Sequence, residues 1–183
     1  MRIESRFGSN VTLRVKPLGK KHERASFTCG EPALDAWFHQ RAQQDQKRRV
    51  SQVFVGLRGD RIVGFYSLSI FTLSLESLPA ALAKKLPRYD SIPTALIGRL
   101  ARATDEKGTG LGSLLLADAV ARVLEVVETV ATYAIVVDVK DPAARSFYEA
   151  HGFIGLPGHP QRLFLLTQTA LAARLGNTSG HGA

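Results

Sequence analysis

Lys107-Gly108-Thr109-Gly110-Leu111-Gly112 is the densest chemical signal in the sequence, and it stands between an apolar run that reads as a strand and a longer one that reads as a helix. Glycines in that place let backbone N–H groups close around an anion, and the helix N-terminus adds a favourable dipole. A phosphate or pyrophosphate is the guest such a turn takes; the alternative is a tight turn with no ligand. The spacing departs from the Rossmann Gly-x-Gly-x-x-Gly, because position 113 is serine, and no Gly-x4-Gly-Lys-Ser/Thr loop exists. His22, His39, His151, His159 and His181 show no metal-ligand spacing, so no metal is expected. Cys29, at a helix start with no histidine motif around it, reads as a packed thiol.

The elements that must carry the turn follow from periodicity. Residues 95–101 read as a strand, and residues 113–129 as a helix with Leu115, Leu116, Ala119, Val120, Val123, Val126 and Val127 on one side. Residues 131–139 are nearly all apolar, as in a strand buried on both faces. Strand, crossover helix and parallel strand make a βαβ unit in a mixed α/β fold. Upstream, residues 11–15 alternate as a half-buried strand does, and Glu31-Pro32 opens a helix whose stripe is Leu34, Trp37 and Phe38. Residues 52–57 and 62–73 are β-rich runs joined by Arg58-Gly59-Asp60-Arg61, which suits an antiparallel hairpin. Three prolines in 79–93 bracket a short helix in a long connection of the kind that shapes a substrate mouth. One domain is expected over residues 1–169, with the small, polar tail 170–183 largely disordered.

Composition narrows the setting. The 183 residues are 45% hydrophobic, which supplies one substantial core. No run reaches the roughly 20 apolar residues of a membrane span, and residues 1–11 have no apolar run after their charges, so neither a membrane role nor a signal peptide is expected. A single cysteine suits a reducing cytoplasm. Lys+Arg number 24 against 16 Asp+Glu, a net +8, which fits a polyanionic partner such as a nucleic acid and a merely solvated basic face equally where the charges cluster. They do so at residues 14–24 and at Lys47-Arg48-Arg49.

The segment 107–112 resembles the coenzyme A signature Gln/Arg-x-x-Gly-x-Gly/Ala of the Gcn5-related (GNAT) N-acetyltransferases, with lysine in first place. Lys107 keeps the charge but not the arginine fork, so the glycines carry the match. A second match lies in residues 141–153, similar to the family's Asn/Asp-x-x-Ala-x-x-Phe-Tyr-x-x-x-Gly-Phe segment. The resemblance implies a central, mostly antiparallel sheet with a parallel βαβ unit at the acetyl-CoA site and helices on both faces. Acetyl-CoA would be the cosubstrate, held by Lys107, Gly108, Thr109, Gly110, Leu111 and Gly112, by the exposed backbone of Leu100, Ala101 and Arg102 pairing with the pantetheine arm, and by Asp141 and Phe147. Tyr148 would be the general acid to the departing thiolate; a phenol near pKa ~10 is protonated at neutral pH. The competing role is a core tyrosine packed on Phe147 and Phe153.

Residues 94–104 carry no carboxylate. A lysine near pKa ~10.4 needs a base to free its lone pair, whereas an α-amine near ~8 is partly neutral already, so the acceptor tilts toward an α-amine. Asp105, His151 or a water chain are other sources of a base. A narrower resemblance covers residues 27–37, 53–55, 63–68 and 97–101, which look like the GNAT toxins of bacterial toxin–antitoxin pairs. It implies acetylation of aminoacyl-tRNA, a translation block, and restraint by a ribbon-helix-helix antitoxin; a homodimer is compatible with it. Arg14, Lys16, Lys47, Arg48 and Arg49 would then contact phosphates, and Arg99, a charge inside an apolar strand, would need a partner or a cleft and would face the acceptor. A small amine, a polyamine or a protein N-terminus is the rival acceptor, and a non-enzymatic coenzyme-A- or RNA-binding module is the rival class.

Overall fold

Alternation, proline placement and turn glycines translate into thirteen elements in a computed structural model that describes residues 11–178. They are β1 (Leu13–Pro17), α1 (Pro32–Gln40), α2 (Ala42–Lys47), β2 (Gln52–Arg58), β3 (Arg61–Ser74), α3 (Ala80–Ala83), β4 (Ser91–Arg102), α4 (Leu111–Val126), β5 (Ala134–Asp138), α5 (Pro142–Ala150), β6 (Ile154–Leu156), β7 (His159–Leu166) and α6 (Thr167–Thr178). The strands form a mixed sheet in the order β1-β2-β3-β4-β5-β7-β6. Strands β4 and β5 are parallel, joined through α4 as the βαβ expectation requires. The chain divides into two compact units, one running to Ser69 and including Gly98–Ala119, the other comprising Ile70–Ile97 and the chain from Val120.

In the first unit, β1, β2 and β3 pair antiparallel, and Gly59 takes φ 62° in the two-residue turn of the β2–β3 hairpin. Phe27, Trp37, Phe38, Val53, Val55 and Phe65 are central to its core, with Phe38 stacked on Phe65 at 4.2 Å between ring centroids. Gly56 faces Gly64 across β2 and β3. A Cβ at Gly64 would lie 2.6 Å from Leu115 Cδ1 and 2.9 Å from the Ala101 carbonyl, so the bare backbone there is what lets Leu115 seat α4 on the sheet. That contact sets the position of the helix whose first turn follows the glycine motif.

In the second unit, Ala134, Ile135, Val136 and Val137 of β5 have no exposed surface, as a doubly covered strand requires. Leu73, Leu78, Ile92, Leu156 and Phe164 complete that core with Ala134 and Val136. Strand β7 pairs antiparallel with β5 and with β6.

Four boundaries differ from the sequence expectations. The polar stretch after Gln40 is a separate helix, α2, because Arg41 breaks the path at φ −117°. Helix α3 spans only Ala80–Ala83. Helix α4 starts at Leu111 and ends at Val126, so Leu111 and Leu124 are buried while Val126 is 50% exposed. Residues 167–178, expected mostly as tail, are helical: Thr167 anchors the start through its hydroxyl on the Thr132 and Tyr133 carbonyls, Ala170 is buried, and alanine-rich sequence propagates the turn. The rest of the tail, 179–183, and residues 1–10 lie outside the described residues.

Candidate active site

After β4 the chain makes a short 3-10 turn at Thr104–Glu106 and enters the glycine motif. Gly108 and Gly110 both take φ 80°, a region that side chains strain to occupy, and a Cβ on either would meet nothing within 4 Å. The motif therefore presents bare backbone on an open side, immediately ahead of the first turn of α4. That geometry fits a diphosphate, which gains from N–H donors and from the positive end of the helix. Lys107 is exposed and Gly112 half-buried. Leu111 is fully buried, so it offers a ligand only its backbone.

The underside of the motif is polar and filled, a feature absent from the sequence reading. Glu106 is 8% exposed, and Arg58 of β2 donates Nε to its Oε1 (3.1 Å) and Nη2 to its Oε2 (3.3 Å). The Thr109 hydroxyl lies 2.8 Å from the Glu106 carbonyl and 3.1 Å from Oε2, and Leu111 N–H donates to the Thr109 Oγ1 at 3.4 Å.

Tyr148 sits in α5, whose start is fixed by Pro142 and by Asp141 Oδ1 accepting the Ala144 N–H at 2.7 Å. Asp141 thus works as an N-cap. The Tyr148 ring is edge-on to Phe147 (5.1 Å) and Phe153 (5.4 Å), and 8% of the residue is exposed. Burial pushes its phenol up to about 12, so it stays protonated throughout the neutral range. Phe147 is half-buried, and its carbonyl contacts His151 Nδ1 at 2.7 Å.

On β4 the parallel ladder to β5 runs from Thr94↔Ala134 to Ile97↔Val137, and β4 continues as a strand through Arg102. Ala101 is buried, and Leu100 and Arg102 are half-buried. Arg99 finds an aromatic partner: its guanidinium stands 4.1 Å over the Trp37 ring. Burial lowers its pKa, and the Asp45 charge opposes that shift. Arg99, Trp37, Ala33, Ala36, Gln40 and Arg41 line an open cavity of about 280 Å³. Trp37 Nε1 donates to Asp45 Oδ2 at 2.9 Å, which fixes the ring under Arg99.

The same network holds the basic corner. Gln46 donates to the Leu18 carbonyl (2.7 Å) and accepts from Val53 N–H (3.1 Å), clamping α2 to the end of the β1–β2 ladder beside Lys16. Lys47, Arg48 and Arg49 follow, all exposed. Arg49 takes φ 59°, with Arg49 N–H on the Gln46 carbonyl and Val50 N–H on the Asp45 carbonyl, a Schellman ending built without glycine. Arg14, also exposed, lies two residues further along β1, where it donates to the Gly59 carbonyl at 2.9 Å. Left-handed arginine is disfavoured, so Arg49→Gly should raise unfolding free energy by about 0.5–1 kcal/mol while Arg49→Ala leaves it level. Urea midpoints decide; no gain for glycine would mean that Arg49's side chain stabilises the corner.

Two further carboxylates are held in ion pairs. Asp105 is exposed and ion-paired with Arg61. Asp138, at the end of β5, accepts from Arg162 Nε (2.7 Å) and Nη2 (3.1 Å), and it borders a cavity of about 430 Å³ with His159 and Gln161. Among the described residues, no group of three or more His, Cys, Asp or Glu is placed to hold a metal ion, and no helix is long and apolar enough to cross a membrane.

Comparison with known proteins agrees with this arrangement. The chain is 36% identical over 147 residues to a tRNA-acetylating toxin of Mycobacterium tuberculosis, covering 80% of this chain and 87% of that one. AtaT complexed with acetyl-methionyl-tRNAfMet matches with a TM-score of 0.83 at 25% identity, covering 88% and 99% of the two chains. AtaTR bound with AcCoA matches at 0.79 and 26%, covering 88% and 98%. Residues 20–153 match the acetyltransferase (GNAT) family, and with the glycine motif, the βαβ unit and the capped tyrosine helix in place, the chain belongs to that family.

Proposed function

We propose that this acetyltransferase moves acetyl from acetyl-CoA to the α-amine of aminoacyl-tRNA, acting in the cytoplasm as a translation-blocking toxin restrained by a ribbon-helix-helix antitoxin. One observation carries the reading: the chain aligns over 80% of its length with a relative named for acetylating tRNA. The absence of any carboxylate in residues 94–104 supports an acceptor that is already partly neutral, and the clamped basic corner suits a phosphate chain. A homodimer belongs to the same reading and is checked by light scattering.

In this mechanism the backbone around Gly108 and Gly110 holds the diphosphate, with Lys107 at its edge. The Leu100–Arg102 backbone pairs with the pantetheine arm, and Asp141 and Phe147 set the helix that presents Tyr148. Arg99 faces the acceptor, and Lys16, Lys47, Arg48, Arg49 and Arg14 contact phosphates. The amine lone pair attacks the thioester carbonyl; the C–N bond forms, the C–S bond breaks with its electron pair on sulfur, and Tyr148 supplies the proton that sulfur takes. The amine's surplus proton leaves to water or restores the phenol.

A phenol at about 12 gives its proton to a thiolate of pKa ~8.5 uphill, so Tyr148 first acts as a strong hydrogen-bond donor while charge develops on sulfur, and the transfer is completed as the amine's surplus proton restores the phenol. The raised value also sets a pH signature. Acceptor deprotonation makes kcat/KM rise through pH ~8, and because the protonated phenol is the active form and persists above its ordinary pKa, no fall follows near pH ~10. A descending limb centred near 10 in the Tyr148 enzyme, measured with acetyl-CoA saturating, would contradict that assignment.

The test of function is transfer of labelled acetyl from acetyl-CoA to a pool of aminoacylated tRNA, with deacylated tRNA and Tyr148→Phe as controls. Label on the aminoacyl group that vanishes in the mutant supports the reading. Label only on small amines, polyamines or protein N-termini would replace the acceptor and keep the enzyme class.

A further inference from the structure

Backbone mobility is the weakness of any phosphate cradle made from glycine. Gly108 and Gly110 flank Thr109, and each has access to conformations on both sides of φ = 0. Unless something fixes the residue between them, ordering the cradle is charged against ligand affinity. The structure fixes it from below. The Thr109 hydroxyl is held by the Glu106 carbonyl and carboxylate, and its oxygen receives the Leu111 N–H at the entrance to α4. Backbone bonds from Thr109 N–H to the Glu106 carbonyl (3.3 Å) and from Glu106 N–H to the Ala103 carbonyl (3.1 Å) continue the support back to Ala103, the residue after β4.

Glu106 creates an electrostatic problem as it solves a geometric one. A buried carboxylate beneath a diphosphate cradle repels the ligand and is costly by itself. Arg58 answers both: its fork covers the two carboxylate oxygens, it comes from the ordered β2–β3 hairpin, and only 24% of its side chain is exposed. Neither partner has a surface-pair geometry, since Glu106's side chain is 10% exposed.

We infer that Arg58, Glu106 and Thr109 form a positioning brace that preshapes the glycine cradle for the coenzyme A diphosphate, with Arg58 cancelling the charge of the carboxylate that holds Thr109. The inference rests on the reading of residues 107–112 as the coenzyme A cradle. None of the three touches the reacting atoms. Their effect is on affinity for the phosphate-bearing part of the ligand.

The brace has a sign that simple loss of packing lacks. Thr109→Val, which keeps the shape and deletes the hydroxyl, should weaken coenzyme A binding by roughly 3–10-fold in calorimetry, and Thr109→Ser should retain it. Arg58→Met leaves the buried carboxylate uncompensated, so its Kd should rise further than that of Thr109→Val. Arg58→Met combined with Glu106→Gln keeps an acceptor for Thr109 without the charge, and it should bind more tightly than Arg58→Met alone. In each weakened variant the ratio of kcat/KM for acetyl-CoA to that for acetyl-pantetheine, which lacks the diphosphate, should fall. Equal losses with both donors, or a double variant weaker than Arg58→Met, would overturn the brace. Gly110→Val separates the two layers of argument. If it leaves coenzyme A affinity intact, the cradle reading fails; if it weakens binding while Thr109→Val does not, only the brace fails. Should Arg58→Met not fold, Thr109→Val and Thr109→Ser decide alone.

Discussion

Tyr148→Phe should lower kcat by about 10²–10⁴-fold while leaving the Kd for coenzyme A within roughly a factor of two. The substitution removes one oxygen from a residue that is 8% exposed, and the ring contacts with Phe147 and Phe153 survive it. The helix cap at Asp141 and the α5 backbone are untouched, so the melting temperature should hold. Under the proposed mechanism, what disappears is the donor aimed at charge that develops only as the C–S bond breaks. An interaction made only in the transition state is lost from kcat and kcat/KM together, not from KM. Single-turnover acetyl transfer at saturating acetyl-CoA measures it, and a loss under tenfold would return Tyr148 to the role of a core aromatic.

Phe38→Ala should cost about 3–5 kcal/mol of stability. Phe38 has no exposed surface, stacks on Phe65 at 4.2 Å and meets Phe27 edge-on at 5.1 Å. Phe65 in turn lies 5.9 Å from Trp37, the ring beneath Arg99, so the truncation also loosens the support of that guanidinium. For a chain of this size the melting temperature should fall by roughly 6–20 °C. Ile70→Ser is the contrast: Ile70 is 83% exposed, and its replacement should stay within about 0.5 kcal/mol. A Phe38→Ala protein that melts near the parent would mean that the aromatic cluster collapses into the space with little loss.

Local physics explains which parts were legible in advance. The β2–β3 hairpin, β5 and the glycine turn are dictated by neighbours in sequence: Gly59 supplies the turn's positive φ, and an unbroken apolar run can satisfy itself only between two covered faces. The helix that carries Tyr148 was readable because it has its own start signal, Asp141-Pro142. Helix ends were less so. Arg41 interrupts α1 and α2 without a proline or glycine, and residues 170–178 look like a tail until Ala170 is seen to be buried.

By itself the sequence determined the mixed α/β class and the order of strand, glycine turn and helix, because each follows from periodicity or from a motif whose parts are close in the chain. Tertiary structure alone decided what surrounds the isolated charges. Arg58 and Glu106 are 48 positions apart and Arg99 and Trp37 are 62 apart, so nothing local marks either pair. Burial forces the choice: a charge within the folded chain must find a counter-charge, a π face or a hydroxyl, and only the folded path determines which of them is within reach.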